Sequence, residues 1–290
     1  MTVTSIIGVV LSGLAFGSFA GAQVWRLRAR QLAYDKQAGI PYDKSEHRTL
    51  RSLIKHGVWA DYSRCLSCEH KLRWYDLIPL VSWITTKGRC RYCRVPIGWF
   101  EPLMEVATAV AFLLSYLLWP WPLVSVVEWG MFVVWLASLV LLMIMAGYDA
   151  RWKLLPDITN YAYAVLGALF VLMRLINGHD ISIPSLVGAL AILAGMYGVL
   201  YALSRGAWIG LGDVKLGVGL ALFLADWKLA FLALFLANLI GCIMVLPGII
   251  RKEVRGGTQI PFGPLLMVGM GIAFFAGDVI IRQVLTFQFV

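Results

Sequence analysis

Two aspartates stand at the ends of apolar segments. Asp149 closes a long apolar run, and Asp213 ends the motif that begins at Gly210 and precedes another apolar run. A carboxylate in or beside a membrane span is energetically costly, and such acids usually have a function. Two carboxylates that share a proton can hydrolyse a peptide bond, one as the base toward water and the other as the acid toward the carbonyl oxygen. The pair predicts peptide hydrolysis within or beside a membrane, with Asp149 and Asp213 as catalytic residues.

Supporting residues surround this pair in the sequence. Gly210 and Gly212 lack a Cβ, so we expect them to let the backbone turn tightly and a substrate strand approach. An acid at a span end is often only a helix N-cap, and spacing alone leaves that alternative open for Asp213. Asp157, just before an apolar helix, is a stronger candidate for a cap. Lys215 is either a charge near the acid pair or a lysine whose amine extends toward the membrane surface.

Four cysteines form two pairs in a polar segment. Cys65 and Cys68 make one CxxC motif, Cys90 and Cys93 make a second, and 21 residues separate the two motifs. This spacing is close to that of four-thiolate zinc sites and predicts a structural Zn²⁺ ion. Disulfide or redox use and unliganded thiols are the alternatives, and a reducing cytosol disfavours disulfides. Cys242 lies alone in an apolar span and is predicted to be a packing residue.

The composition is that of a polytopic membrane protein. The 290 residues are 60% hydrophobic and 14% charged, with a mean hydropathy of +0.78, whereas soluble proteins have about 25% charged residues. We predict an all-α protein with about eight transmembrane helices, in windows near the ~20 residues that cross a bilayer. The sixth window is long enough only if the stretch from Gly212 to Leu216 forms its first turns. The windows are roughly Val3–Ala22, Leu103–Trp119, Leu123–Ala146, Tyr161–Ile176, Ile183–Leu203, Leu216–Leu224, Leu229–Ile250 and Leu265–Thr286.

The basic residues predict the orientation in the membrane. Between Arg26 and Arg94 there are 15 Lys and Arg residues against six acids, an excess equal to the whole net charge of +9. If this segment is cytoplasmic, as the positive-inside rule favours, eight spans place 22 of the 25 basic residues on that side and both termini outside. Topology therefore accounts for the high pI, and we expect no nucleic-acid partner because no soluble basic readout domain is evident.

Three segments follow from these patterns. Residues 1–23 are predicted to form the first transmembrane helix, residues 24–100 a cytoplasmic insertion with the CxxC motifs, and residues 101–290 a seven-helix membrane core. In the first helix Gly13, Gly17 and Gly21 recur every four residues, which places small residues on one face for close helix packing. Glu105 lies just inside the second span, where an acid usually faces protein rather than lipid.

Several longer motifs resemble one known family. The chain is similar to bacterial type IV prepilin peptidases in the segments 17–19 (GSF), 74–83 (WYDLIPLVSW), 88–93 (GRCRYC), 210–215 (GLGDVK) and 260–264 (IPFGP). The matches also include Asp149 ahead of Leu154-Leu155-Pro156-Asp157, and they cover most of the chain in the family's order.

The resemblance implies a GxGD-class aspartyl peptidase of the bacterial cytoplasmic membrane that removes the short basic leader of prepilins and pseudopilins. It places the family's two catalytic acids on Asp149 and Asp213 and its zinc-type knuckles on the four cysteines. Members with this insertion commonly also methylate the new N-terminal amine with S-adenosylmethionine. Arg151 stands where the family usually has a second acid, two positions after the first, which leaves Asp149 as the candidate.

Two other classes of function remain as alternatives. An ion-coupled membrane transporter could use buried acids, although it would place them near the bilayer midplane in paired broken helices. A non-enzymatic zinc scaffold explains the cysteines but not the segment from Gly210 to Asp213. No glycine-rich dinucleotide motif is present, so binding of the methyl donor is predicted by the resemblance alone.

Overall fold

Helices make up nearly all of the described chain. The computed structural model describes residues 2–54, 62–251 and 261–287. Within these ranges β-structure is limited to two isolated bridges, which confirms the all-α prediction. The chain divides into two compact units, Met1–Leu117 and Leu118–Val290, and each is described by itself. The division of the sequence into three segments stays a prediction.

In the first unit the long helix is α1 (Val3–Gln37), which starts where the Thr2 side chain accepts the N–H of Ser5. It continues well beyond the predicted end of the first span at Ala22, because Ala29 and Leu32 keep an apolar face that packs in a small cluster. The other members of that cluster are Leu50 and Leu53, with Trp25, Tyr42, Ile54 and Leu66 around them.

Helix α1 packs closely against α4 (Phe100–Leu118). A Cβ at Gly17 would lie 2.6 Å from the Cα of Glu105, and a Cβ at Gly13 would lie 2.6 Å from the Cα of Ala109. Only glycine allows the two backbones to approach this closely, so the predicted packing role of the glycine stripe is confirmed. Glu105 is buried, as expected, and its Oε2 accepts the N–H of Leu80 at 2.8 Å.

Short elements connect these two helices. They are α2 (Lys44–Leu50), a 3₁₀ turn (Arg51–Leu53), a second 3₁₀ turn (Trp74–Leu77) and α3 (Val81–Thr85). The bridges Arg64 to Lys71 and Arg89 to Pro96 each close a loop around one CxxC motif.

The second unit is a helical bundle. Its helices are α5 (Val126–Trp152), α6 (Asp157–Ile176), α7 (Ile183–Leu190), α8 (Met196–Ser204), α9 (Leu211–Leu224), α10 (Trp227–Ile250) and α11 (Gly263–Phe287). A π-helical turn over Ala191–Gly195 joins α7 to α8 in one continuous rod. The core of the bundle is aromatic, and the rings of Trp135 and Phe274 stack with their centroids 4.0 Å apart.

Seven helices of the described chain are long and apolar enough to cross a membrane. They correspond to seven of the eight predicted spans, and the eighth, predicted over Leu216–Leu224, lies in α9. That helix has only 14 residues. It begins at Leu211, so the stretch from Gly212 to Leu216 does form its first turns, as expected.

Candidate functional site

Asp149 lies in the last turn of α5 and is only 5% exposed. Its Oδ2 accepts the backbone N–H of Gly263, the first residue of α11, at 3.1 Å. A Cβ at Gly263 would lie 2.8 Å from this same oxygen. Glycine is therefore needed at the start of α11, because any side chain would push the backbone donor away from the carboxylate.

Asp213 is the third residue of α9, and its own N–H donates to the carbonyl oxygen of Gly210 at 3.2 Å. The N-cap of this helix is Gly210, so the alternative that Asp213 is a helix cap is wrong. Gly210 has φ −75° and ψ 149°, an extended conformation that any residue adopts. Its backbone does not require glycine, contrary to the tight turn expected there.

Leu155 lies close to the backbone beside each of the two acids. A Cβ at Gly212, beside Asp213, would lie 2.9 Å from the Cβ of Leu155, and a Cβ at Gly263 would lie 3.6 Å from the Cδ2 of Leu155. The Asp213 carboxylate also lies within electrostatic range of Asp149. The structure therefore brings Asp149 and Asp213 near each other at one end of the second unit, and their catalytic role stays a prediction.

Lys215 and Asp157 form an ion pair at this end of the unit, with 2.7 Å between Nζ and Oδ1. Helix α6 begins at Asp157 itself, and its N-cap is Pro156. The prediction that Asp157 caps the helix is therefore wrong, and its carboxylate instead ties the start of α6 to Lys215 in the second turn of α9. Lys215 also lies over the ring of Tyr161, with 5.1 Å from Nζ to the centroid.

Two polar residues near the pair were not predicted. The Nδ2 of buried Asn160 donates to the carbonyl oxygen of Gly212 at 3.4 Å. Tyr197 is 4% exposed, lies within electrostatic range of Asp213, and packs edge-on against Phe262 with centroids 5.9 Å apart. In the sequence both residues are indistinguishable from ordinary members of apolar helices, so hydropathy gives no signal for them.

The four cysteines of the two CxxC motifs converge in the first unit. Their sulfur atoms all lie within 4.8 Å of one another, and all four are free thiols. The two loops have the same construction, because the residue after each second cysteine has a left-handed backbone, with φ 57° at Glu69 and 60° at Arg94. This turn directs both sulfurs of a pair to one point, so the four thiols could hold a metal ion.

Backbone N–H groups point at the sulfurs. Burial raises the pKa of the Cys90 thiol, but hydrogen bonds from the N–H groups of Cys93 and Tyr92 and from the thiol of Cys65 outweigh burial and lower this pKa to about 7. Burial raises the pKa of Cys65 to about 12. The N–H donors therefore favour the thiolate form of Cys90, and thiolates are the sulfur ligands that zinc and other soft metals bind.

Asp76 stabilises the second cysteine loop from outside. Its carboxylate accepts hydrogen bonds from the Tyr92 hydroxyl at 2.8 Å and from the Arg91 Nε at 2.9 Å. Burial raises the pKa of Asp76, but these bonds and the N–H of Arg73 outweigh burial and hold this pKa below its ordinary value. The His70 ring stacks on Tyr92 with centroids 3.7 Å apart, which links the two loops.

The fold and the acid pair define a helical membrane protein with a candidate hydrolytic site, and comparison with known families gives the same class. Residues 11–119 match the model of the bacterial peptidase A24 N-terminal domain, and residues 135–246 match the model of the type IV leader peptidase family. The chain belongs to the type IV leader peptidase family and is a peptidase.

Relatives extend over nearly the whole chain. A type 4 prepilin-like proteins leader peptide-processing enzyme from Escherichia coli O78:H11 is 31% identical over 91% of this chain and 90% of its own length. Prepilin leader peptidase/N-methyltransferases from Pseudomonas aeruginosa and Aeromonas salmonicida are 28% and 30% identical, over 97% and 96% of this chain and 94% and 93% of their own. No solved structure matches the chain significantly. The family resemblance predicted from the sequence is confirmed.

Proposed function

We propose that Asp149 and Asp213 are the catalytic pair of a membrane aspartyl endopeptidase that removes the basic leader from type IV prepilins and pseudopilins. The observation that supports this most strongly is the meeting of two acids from separate helices, one buried and held by the Gly263 N–H. The names of the relatives supply the class of substrate. Membership of a peptidase family gives no support to the alternative of an ion-coupled transporter.

In the proposed mechanism the two carboxyl groups hold one proton between them. The ionised carboxylate takes a proton from a water molecule, which attacks the carbonyl carbon of the peptide, while the protonated partner donates its proton to the carbonyl oxygen. The tetrahedral intermediate then collapses as a proton passes to the leaving amine. The N–H of Gly263 holds Asp149 in position during these steps.

The surface beside the pair suits a membrane-inserted substrate. Large apolar side chains are exposed on the segments that flank it, among them Leu154, Trp208 and Leu211. A prepilin presents a hydrophobic helix next to its basic leader, so we infer that the helix lies against these side chains and approaches laterally through lipid. Arg151, Lys153 and Arg205 lie in the adjoining segments, which by the positive-inside rule favours placing the site at the cytoplasmic face of the bacterial cytoplasmic membrane.

Substitution of each acid tests the catalytic assignment. Asp149→Asn and Asp213→Asn should each abolish cleavage of a co-expressed prepilin at unchanged protein level, because neither amide can exchange the shared proton. Asp180→Asn is the matched control, since Asp180 is an exposed acid in the loop between α6 and α7, and it should cleave normally. Processing that persists in either variant would remove that residue from the pair.

We further propose that the four cysteines hold a structural Zn²⁺ ion. Their common approach and the N–H groups directed at their sulfurs fit a tetrahedral thiolate site. Zinc bound there would crosslink the two CxxC loops, and since four protein ligands leave no open position, it would have no part in peptide hydrolysis.

Methylation of the new N-terminus, with S-adenosylmethionine as the methyl donor, completes the proposal. It is supported by the names of the relatives, several of which are prepilin leader peptidase/N-methyltransferases. Mass spectrometry of the mature pilin N-terminus tests it directly. An unmethylated amine produced by an active peptidase, with the donor supplied, would contradict the transferase activity while leaving the peptidase assignment intact.

A further inference from the structure

The hydroxyl group of Tyr197 is buried without a hydrogen-bond partner. The residue is 4% exposed, and among the described residues no donor or acceptor reaches its oxygen. Leaving a buried hydroxyl unpaired is unfavourable in proteins, and most buried polar side chains are paired. An unpaired hydroxyl next to a candidate catalytic site can form a hydrogen bond with a group of the bound substrate.

Helix packing brings Tyr197 close to Asp213. Helices α8 and α9 run antiparallel, since a Cβ at Gly198 would lie 3.8 Å from the Cγ1 of Val214, while a Cβ at Gly217 would overlap the carbonyl oxygen of Leu193. Tyr197 is next to Gly198 in this packed region, and its side chain lies within electrostatic range of Asp213.

The π-helical turn determines the side of the helix on which Tyr197 lies. The N–H of Met196 donates to the carbonyl oxygen of Ala191, five residues back, so the turn over Ala191–Gly195 contains one extra residue. An extra residue rotates everything after it by about 100° relative to a regular α-helix. Without it Tyr197 would point to another side of the helix, and π-turns of this kind are frequent at functional sites.

The ring of Tyr197 is fixed from the side of Asp149 as well. It packs edge-on against Phe262, with 5.9 Å between centroids, and the next residue, Gly263, donates its N–H to Asp149. Tyr197 thus contacts the segment that holds one acid and lies within electrostatic range of the other. Its hydroxyl is therefore a candidate third polar group of the site.

We propose that the Tyr197 hydroxyl donates a hydrogen bond to the carbonyl oxygen of the scissile peptide as that oxygen gains negative charge. The proposal rests on the acid pair proposed above. No proton leaves Tyr197, because Asp149 and Asp213 carry out all proton transfers, and the hydroxyl only stabilises the tetrahedral intermediate. A donor already buried and unpaired has no protein partner to give up, which is the preorganisation that favours such stabilisation.

Tyr197→Phe tests this, because it removes the hydroxyl and keeps the ring on Phe262. With purified enzyme in detergent and a prepilin substrate, kcat should fall on the order of 10²-fold, the usual effect of losing one oxyanion donor, with KM within about twofold. Tyr163→Phe is the matched control. Tyr163 is also fully buried with an unpaired hydroxyl, but its ring stacks on Phe223, so its loss should leave kcat unchanged.

Two further measurements keep the test decisive. The thermal midpoint of the Tyr197→Phe enzyme should be unchanged or higher, because the change removes an unpaired buried hydroxyl. Fluorotyrosine incorporated at position 197 should restore most of the kcat that Tyr197→Phe loses, because it returns a hydroxyl donor to the same place. A merely structural role would produce neither the split between kcat and KM nor this rescue by the hydroxyl.

The outcomes separate this proposal from the catalytic pair. If Tyr197→Phe retains kcat while Asp149→Asn and Asp213→Asn are inactive, the oxyanion role is overturned and the pair stands. If the Asp variants cleave normally, the pair itself is wrong, and the role of Tyr197 is overturned with it. A kcat loss in Tyr163→Phe equal to that in Tyr197→Phe would attribute both effects to packing and also overturn the proposal.

Discussion

At the scale of single residues, the candidate site is assembled from separate helices, since the Gly263 N–H holds the Asp149 carboxylate and Tyr197 lies within electrostatic range of Asp213. An acid beside an apolar run and paired CxxC motifs are signals of residue type and spacing. The hydrogen bond from Gly263 to Asp149 joins residues 114 positions apart, and the unpaired hydroxyl of Tyr197 lies in an otherwise apolar helix. Such partners depend on how helices meet, which residue type and spacing do not specify.

Gly263→Ala should reduce cleavage sharply. The new methyl group would lie 2.8 Å from the Asp149 Oδ2, so the N–H donor must move, and misplacing a catalytic group by about 1 Å can lower the rate about 10²-fold. Gly271→Ala in the same helix is the matched control, because nothing lies within 4 Å of a Cβ there. The measurement is the rate of prepilin cleavage by the two purified variants, and equal rates would contradict the positional role of Gly263.

Cys90→Ser should lower the metal content. Cys90 is the most buried of the four clustered thiols, at 4% exposed, and the one whose pKa is lowered to about 7, so it is the ligand that serine replaces least well. Elemental analysis should find one zinc per wild-type chain and substantially less in the variant. Cys242→Ser, outside the cluster, should retain the full amount. Equal zinc in the two variants would exclude the four-cysteine site.

At the scale of helices, seven of the eight spans predicted from hydropathy correspond to long apolar helices, and two details were not predicted. Helix α1 extends to Gln37 because one of its faces stays apolar while the other faces become charged. The mean hydropathy of a window over such a segment is low, so the window does not mark the helix. The π-turn at Ala191–Gly195 has the composition of any apolar helix. Its extra residue is a matter of hydrogen-bond register, and the turn packs against α9, where the Leu193 carbonyl lies against Gly217.

Gly17→Ala should destabilise the packing of α1 on α4. The added Cβ would lie 2.6 Å from the Cα of Glu105, and an overpacked contact typically costs about 1–3 kcal/mol. Gly8→Ala in the same helix is the control, since a Cβ there meets nothing within 4 Å, and exchanging glycine for alanine in a helix is favourable by about 0.5–1 kcal/mol. Thermal unfolding in detergent should show a lower midpoint for Gly17→Ala alone.

At the scale of the molecule, the topology depends on whether α9 crosses the membrane. Its 14 residues span about 21 Å at 1.5 Å per residue, less than the ~30 Å hydrocarbon core. Yet α9 accompanies the α7–α8 rod along most of its length. Val214 lies opposite Gly198 near one end, and at the other end the Ser185 hydroxyl donates to Asp226 at 3.0 Å.

We therefore expect α9 to count as a full crossing, which makes eight in all and places both termini on the external side. Alkaline phosphatase, which is active only outside the cytoplasm, should be active when fused after Asp180 or after Val290 and inactive when fused after Gly206. Green fluorescent protein at the same three positions should give the reverse pattern. If α9 does not cross, the number of crossings is odd and the C-terminus lies in the cytoplasm. The fusion after Val290 would then lose phosphatase activity, while the fusions after Asp180 and Gly206 keep their predicted behaviour.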